Sequence, residues 1–162
     1  MGSRVSIVLS GYNQAAYLEG AIASALSQTH RNLELIVIDN GSTDGSRELL
    51  STCRTDPRIR LLLHETNAAV TTRLNEGIAL ASGEFVSILY ADDYYLPQKL
   101  ERQLDAFSRL PSDYGVVYSP SYRLDERTGK RWIDQSLKRS GAVLKDMFLR
   151  HYSEGFINPI SP

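Results

Sequence analysis

Residues 33–45 read Leu-Glu-Leu-Ile-Val-Ile-Asp-Asn-Gly-Ser-Thr-Asp-Gly. An apolar, β-branched run of strand length, Leu33 to Asp39, breaks at once into a turn rich in helix-capping residues, Asn40 to Gly45. A short helix carrying Leu49, Leu50 and Cys53 follows, ended by Asp56-Pro57. The same order of buried strand, polar turn and helix recurs on both sides. Upstream, Arg4 to Leu9 is a strand broken by Ser10-Gly11-Tyr12-Asn13. Leu18, Ile22, Ala25 and Leu26 then recur at helical spacing and predict a helix over about 13–28, with Asn13 as its cap. Downstream, Ile59 to His64 is the third strand. Val70, Leu74 and Ile78 lie four apart and predict a helix over about 69–81, with Gly83 as its C-terminal cap. Phe85 to Leu89 is the fourth strand, with Asp92-Asp93 just past its end. Pro97 opens a fourth helix with Leu100, Leu104, Phe107 and Leu110 on one face, and Pro111 closes it. Val116 to Tyr122 reads as a fifth strand, and Asp125 to Gly129 as a hairpin turn returning through Arg131-Trp132-Ile133.

Four β-α units in succession predict an α/β fold: a mainly parallel, Rossmann-like sheet with helices on both faces and right-handed crossovers. Near-continuous apolar strands agree with burial on both faces. The β/α repeats occupy 4–110 of one domain over 4–162, and Met1-Gly2-Ser3 reads as a cloning remnant. In such sheets ligands bind beyond the carboxyl ends of the strands. Three of those ends are polar: Ser10-Gly11-Tyr12, Asp39-Asn40 and Asp92-Asp93.

Composition narrows the function classes. A net charge of −1 supplies no basic field for nucleic acid or an anionic membrane surface. The apolar stretches are strand-length, so no transmembrane segment is expected. Cys53 is the single cysteine, which rules out an intrachain disulfide and fits a reducing cytoplasm. His30, His64 and His151 are isolated and lack metal-ligand spacing.

The strand ends each carry two readings. Adjacent carboxylates repel, so Asp92-Asp93 makes sense around a divalent cation, Mn or Mg, that takes its other ligands from substrate phosphates and water; the alternative is a solvated turn. Asp39 and Asn40 offer acceptors and a donor for a base or ribose, or form an Asx-turn that caps the next helix. Tyr12 either stacks on a nucleobase or packs. Arg73 lies off the Val70-Leu74-Ile78 face, to meet a phosphate or simply be solvated. Trp132 reads as hairpin packing, with a sugar contact as the alternative.

Val5 to Asn13, Ser27-Gln28-Thr29, Leu35 to Gly45, Asn75 to Ile78, Ala81 to Glu84 and Ala91-Asp92-Asp93, in that order and spacing, resemble the inverting family-two glycosyltransferases with the GT-A fold. The resemblance covers about Arg4 to Leu110 and implies transfer of a sugar, with inversion, from a nucleotide-diphosphate donor, usually a uridine one. It implies base and ribose contacts at Ser10 and Tyr12. It makes Asp39 the first of an acidic pair, Asp93 the direct metal ligand, and Asp92 the residue nearer ribose and sugar. The donor-binding set is therefore Ser10, Tyr12, Asp39, Asn40, Arg73 and Asp92, and the acceptor a glycan or a lipid-linked one.

Three departures stand out. Asn40 occupies a position usually Asp, which leaves the choice of base open. Tyr90 replaces an Asp often found two residues before Asp92. The family's catalytic base belongs to an acceptor-side part that begins at about 111–162 and continues past Pro162, so none of Asp125, Glu126, Asp134 or Glu154 is assigned that role. This stretch is expected to bind donor nucleotide and to transfer poorly or not at all. The alternative is a nucleotide-binding or protein-interaction module without transferase activity. The resemblance also implies a cytoplasmic protein, at the membrane face in many relatives. Sugar, acceptor and oligomeric state are not specified by the sequence.

Overall fold

A strand that is apolar at every position has two faces to cover, and this requirement organises the molecule. The computed structural model describes residues 2–134. The chain divides into two units, Met1–Arg102 and Gln103–Pro162. In the first, β1 (Val5–Gly11), β2 (Leu33–Asp39), β3 (Ile59–Leu63) and β4 (Phe85–Tyr90) form one sheet in the order β3-β2-β1-β4, every pair parallel. Between them run α1 (Ala15–Leu26), α2 (Ser46–Thr52), a 3-10 turn at Cys53–Thr55, and α3 (Val70–Leu80). Ile7, Val8, Leu9, Leu35, Ile36 and Val37 are all 0% exposed. Successive side chains point to opposite faces, so both faces of β1 and β2 are covered. The Rossmann-like α/β fold read from the sequence is the fold observed.

The strand order creates a switch point. The chain steps outward from β1 through β2 to β3, then returns to the other side of β1 as β4. Loops leaving β1 and β4 therefore diverge, and a crevice opens between them at the carboxyl edge.

The structure corrects the sequence reading of α3. Val70 and Ile78 are exposed, at 44% and 41%, while the buried residues are Arg73, Leu74 and Gly77. The reason is steric. A Cβ on Gly77 would lie 2.4 Å from Val8 Cγ1 and 2.9 Å from Ile38 Cδ1. The bare backbone at Gly77 lets the helix settle onto β1 and β2, and that contact chooses the buried face. Glycine carries no hydrophobic signal, so periodicity alone aims the helix wrongly.

Gly83 is not the helix cap. α3 ends at Leu80, the next residue, Ala81, is extended (φ −63, ψ 133), and Gly83 donates its N–H to Ser6 Oγ at 2.8 Å. Glu34 completes this junction at the amino edge of the sheet. It accepts from Ser82 N at 2.7 Å, Ser82 Oγ at 2.9 Å, Arg4 at 3.2 Å and the Ser6 hydroxyl. β1, β2 and the turn before β4 are thereby tied through one carboxylate.

Asn13 is not the cap of α1 either. It sits at φ +52, and the helix begins after Gln14, which makes no side-chain cap bond. The orphan N–H of Ala15 instead donates to Asp44 Oδ2 at 2.9 Å, while Asp44 Oδ1 accepts from Ser46 N and Oγ at the start of α2. One aspartate thus caps two helices. Asn13 pins the same loop by accepting from Thr43 N at 2.8 Å and donating its own N–H to Ser42 Oγ at 2.9 Å.

α4 (Lys99–Arg109) leads from the first unit into the second. Its Leu100 is fully covered, at 2% exposure. In the second unit the expected fifth strand at Val116 to Tyr122 is not formed; β5 (Ser121–Asp125) pairs antiparallel with β6 (Lys130–Asp134). Pro120 lacks an N–H and restricts Ser119, so pairing starts after it. The expected Asp125–Gly129 turn is present. Asp125 Oδ1 accepts from Arg127 N at 3.0 Å, and Gly129 takes φ +67. Trp132 faces Arg123 across the hairpin and is 46% exposed. His151 and Glu154 lie outside the described residues.

Two outcomes test these packing arguments. Gly77→Ala gains about 1 kcal/mol of helix propensity, but overpacking against the stiff, buried Val8 costs about 1–3 kcal/mol. A lower urea midpoint at unchanged m-value is expected. For Glu34, burial acts to raise the carboxyl, but the hydroxyls and N–H of Ser6 and Ser82, with Arg4, outweigh it and hold the group below its ordinary 4.5. A lowered folded value means stability fully present above 4.5 and lost as pH falls from there through the lowered value. Glu34→Gln is expected to flatten the acid limb of a Tm-against-pH curve.

Candidate functional site

Register aligns the strand ends. Ser10 stands beside Ile38 on one side and Tyr90 on the other, and Gly11 stands beside Asp39. A Cβ on Gly11 would come within 2.6 Å of the Ala91 methyl. The end of β1 and the turn after β4 are therefore in direct contact, and Asp92-Asp93 follows that contact point. An open cleft of about 560 Å³ lies here. Of the residues singled out in the sequence, Ser10, Tyr12, Asn40, Asp92 and Asp93 line it. Asp39 and Arg73 do not.

The acidic pair has unusual surroundings. Among the described residues no hydrogen bond or ion pair involves either carboxylate, and no group of three or more His, Cys, Asp and Glu gathers around them. Burial first, and then the neighbouring Asp92, push the Asp93 carboxyl above its ordinary range. Burial, followed by Asp93 and Asp92, likewise raises the Tyr90 hydroxyl, which stays a protonated donor at the cleft. Two like charges side by side, one partly desolvated, have no cationic partner among the described residues. That donor set suits a divalent cation which completes its shell from water and phosphate oxygens.

The opposite wall is built on Asn40. Its Nδ2 donates to Ala68 O at 2.8 Å, and its Oδ1 accepts from Ala68 N at 2.9 Å and Arg73 Nε at 2.8 Å. The side chain pairs with the backbone of residue 68 as one base edge pairs with another. Both acceptor lone pairs are spent, leaving one N–H of the amide. Asn40 is 5% exposed, so its role here is to hold the Thr66–Ala68 segment against the cleft. Asn67 and Ala68 line that wall. They follow β3, a fourth strand end on the same edge; that position is the signal by which the sequence offers them.

Arg73 is not solvated. It is 9% exposed, donates to Thr66 O at 2.9 Å as well as to Asn40, and lies 3.5 Å from Glu76. His64 is not isolated: its Nε2 is 2.9 Å from the same Glu76 carboxylate, out of line for a hydrogen bond. The guanidinium thus braces the wall from behind. Asp39 is also turned inward, at 2% exposure. Its Oδ2 accepts from Ser42 N at 3.2 Å and lies 4.0 Å from Arg47 Nε. Tyr12, by contrast, is 45% exposed at the cleft mouth, an aromatic face free of core packing.

Among the described residues no helix is long and apolar enough to cross a membrane. The chain matches the family described as Glycosyl transferase family 2 over residues 6–158. It is 37% identical over 146 residues to the uncharacterized glycosyltransferase alr2836 of Nostoc sp., covering 89% of this chain and 44% of that protein. It is 35% identical over 102 residues to the putative teichuronic acid biosynthesis glycosyltransferase TuaG of Bacillus subtilis, covering 62% of this chain and 40% of that one. The chain thus spans less than half the length of these relatives. Among solved structures it resembles S. aureus TarS 1-349 in complex with UDP (TM-score 0.57, 26% identity, 65% of this chain and 31% of that one). It also resembles the mannosyltransferase PcManGT from Pyrobaculum calidifontis in complex with GDP-Man and Mn2+ (TM-score 0.54, 27% identity, 59% and 29% coverage). On this match the chain belongs to glycosyl transferase family 2 and carries the GT-A type of Rossmann-like α/β fold.

Proposed function

We propose that the cleft binds the nucleotide-diphosphate part of a sugar donor, a uridine one first, and that Asp93, with Asp92, holds Mn or Mg against the diphosphate. The observation that carries this reading is the Asp92-Asp93 pair, whose carboxylates have no partner among the described residues and line an open cleft at the switch point. The complexes of TarS with UDP and of PcManGT with GDP-Man and Mn2+ support it. Tyr12 is available to stack on the base, Ser10 to hydrogen-bond base or ribose, and the remaining Asn40 N–H to donate to an acceptor on the base. Arg73 acts on the donor through Asn40 and the Thr66–Ala68 wall, and Asp39 through the Ser42 turn. When bound, the cation neutralises charge developing on the departing diphosphate. The protonated Tyr90 hydroxyl can donate to the same oxygens. In the whole protein the sugar passes with inversion to a glycan or lipid-linked acceptor, whose hydroxyl a carboxylate base deprotonates.

Calorimetry with UDP, with and without Mn2+, tests the reading. Metal-dependent heat in the wild type that disappears in Asp93→Ala is expected; metal-independent heat, or heat that survives the substitution, defeats it. GDP and dTDP run alongside rank the base. A nucleotide at 100 times its Kd stabilises by about 2.7 kcal/mol, a readable Tm shift.

The same carboxylate generates a stability prediction. The Asp93 folded value is raised, so the native state keeps its proton to a higher pH than the unfolded chain. Stability therefore falls as pH climbs from 3.8 through the raised value. Asp93→Asn is expected to raise the Tm of the ligand-free protein at neutral pH while abolishing the metal-dependent heat. A lower Tm in the variant contradicts the sign.

A further inference from the structure

The Asp92-Asp93 turn carries mutual repulsion and one internal bond, Asp93 N to Tyr90 O at 3.1 Å. Something must hold it in place. The segment that follows is gripped at successive residues, and the grip comes from the last turn of α1 and the residues just beyond it. Ser24 Oγ accepts from Tyr95 N at 3.1 Å. Gln28 Nε2 donates to Leu96 O at 2.9 Å and to Ser24 O at 3.1 Å, and its Oε1 accepts from Leu100 N at 3.1 Å. Thr29 N donates to Pro97 O at 2.8 Å, and its hydroxyl donates to Glu101 at 2.7 Å. Tyr95, 3% exposed, closes the set by donating its hydroxyl to Ile88 O at 2.6 Å.

Gln28 is the centre of this grip. It is 0% exposed, a fully buried amide with three internal bonds. Burying such a group against apolar surroundings is unfavourable unless its bonds are kept. A helix end needs no buried glutamine to terminate, and Gln28 does not line the cleft. Two of its three partners, Leu96 and Leu100, lie on the segment entered three residues after Asp93, and the third is Ser24 O in α1. The Asn40 amide does the same for the opposite wall, so each side of the cleft is hung on one buried carboxamide bonded to loop backbone.

We infer that Gln28 is a positioning residue for the acidic turn: by fixing Leu96 and Leu100 to the end of α1, it sets where Asp92 and Asp93 stand against the cleft, and hence how well they hold a divalent cation. This inference rests on the donor-site reading proposed above. It concerns geometry at the turn and leaves the Tyr12 and Asn40 side untouched.

The test uses the 162-residue chain, with UDP and MnCl2 as probes. UDP affinity is measured by calorimetry in EDTA and in Mn2+, and bound Mn2+ is followed by its EPR signal. Gln28→Met removes the amide at similar length; Ser24→Ala removes only the hydroxyl that holds Tyr95. Mn2+ affinity in the presence of UDP is expected to drop about tenfold in Gln28→Met, the usual scale for a residue that orients metal ligands. A smaller drop is expected in Ser24→Ala, with UDP affinity in EDTA unchanged in both. Equal losses with and without metal would show a general effect on folding and overturn the inference, as would unchanged Mn2+ affinity. If Gln28→Met does not fold, Ser24→Ala decides by the same criterion. A wild type that binds UDP without any metal dependence removes the donor-site reading itself, an outcome distinct from a variant-specific null.

Discussion

Everything in the first unit is arranged around β1, a strand buried on both faces and paired on both edges. Because β2 and β4 flank it, the loops leaving β1 and β4 must part, and the crevice follows from strand order alone. The strand must also accept backbone at close range. α3 reaches it through the bare Cα of Gly77, and the turn after β4 reaches it where Gly11 meets Ala91. The first contact aims α3, so that Arg73 faces inward to Asn40. The second sets Asp92-Asp93 at the edge of the cleft. A side chain at either glycine would displace a wall of the site before touching any functional group.

The polar residues at the carboxyl edge divide their labour in a way that residue type does not reveal. Asp39, Asn40 and Arg73 are all hydrogen-bonding groups, yet each is spent largely on the protein's own backbone or on a charged neighbour. A buried polar group without a partner costs more than the net worth of one bond, so such groups are satisfied internally. Asp92 and Asp93 are the exception. Their mutual repulsion and the partial burial of Asp93 are left uncompensated among the described residues. Strain of this kind is tolerated where a ligand relieves it, which is why the pair carries the functional reading.

Much of this was legible in the sequence. Strand-length apolar runs, each followed by a polar turn and a helical period, leave few arrangements other than a parallel sheet, and the acidic pair after the fourth strand marks the ligand edge. The misreadings have specific causes. Asn13 looks like a cap, but Asp44, 29 residues beyond Ala15 in the chain, takes the Ala15 N–H. Gly83 looks like a cap, but the chain has already left the helix at the extended Ala81, and Gly83 bonds to Ser6 of β1. Val116 to Tyr122 looks like a strand, but Pro120 forbids pairing until it has passed.

The sequence by itself determined the fold class, the family to which the chain belongs and the place of the acidic pair, because hydrophobic period and motif order are local properties. Only the tertiary structure decided which polar side chains face the cleft. A carboxamide or guanidinium has the same chemistry whether it meets a ligand or a backbone carbonyl. Its partner is chosen by close approaches between segments far apart in sequence, such as Gly77 on β1 or Gln28 on Leu96, and no local pattern records them.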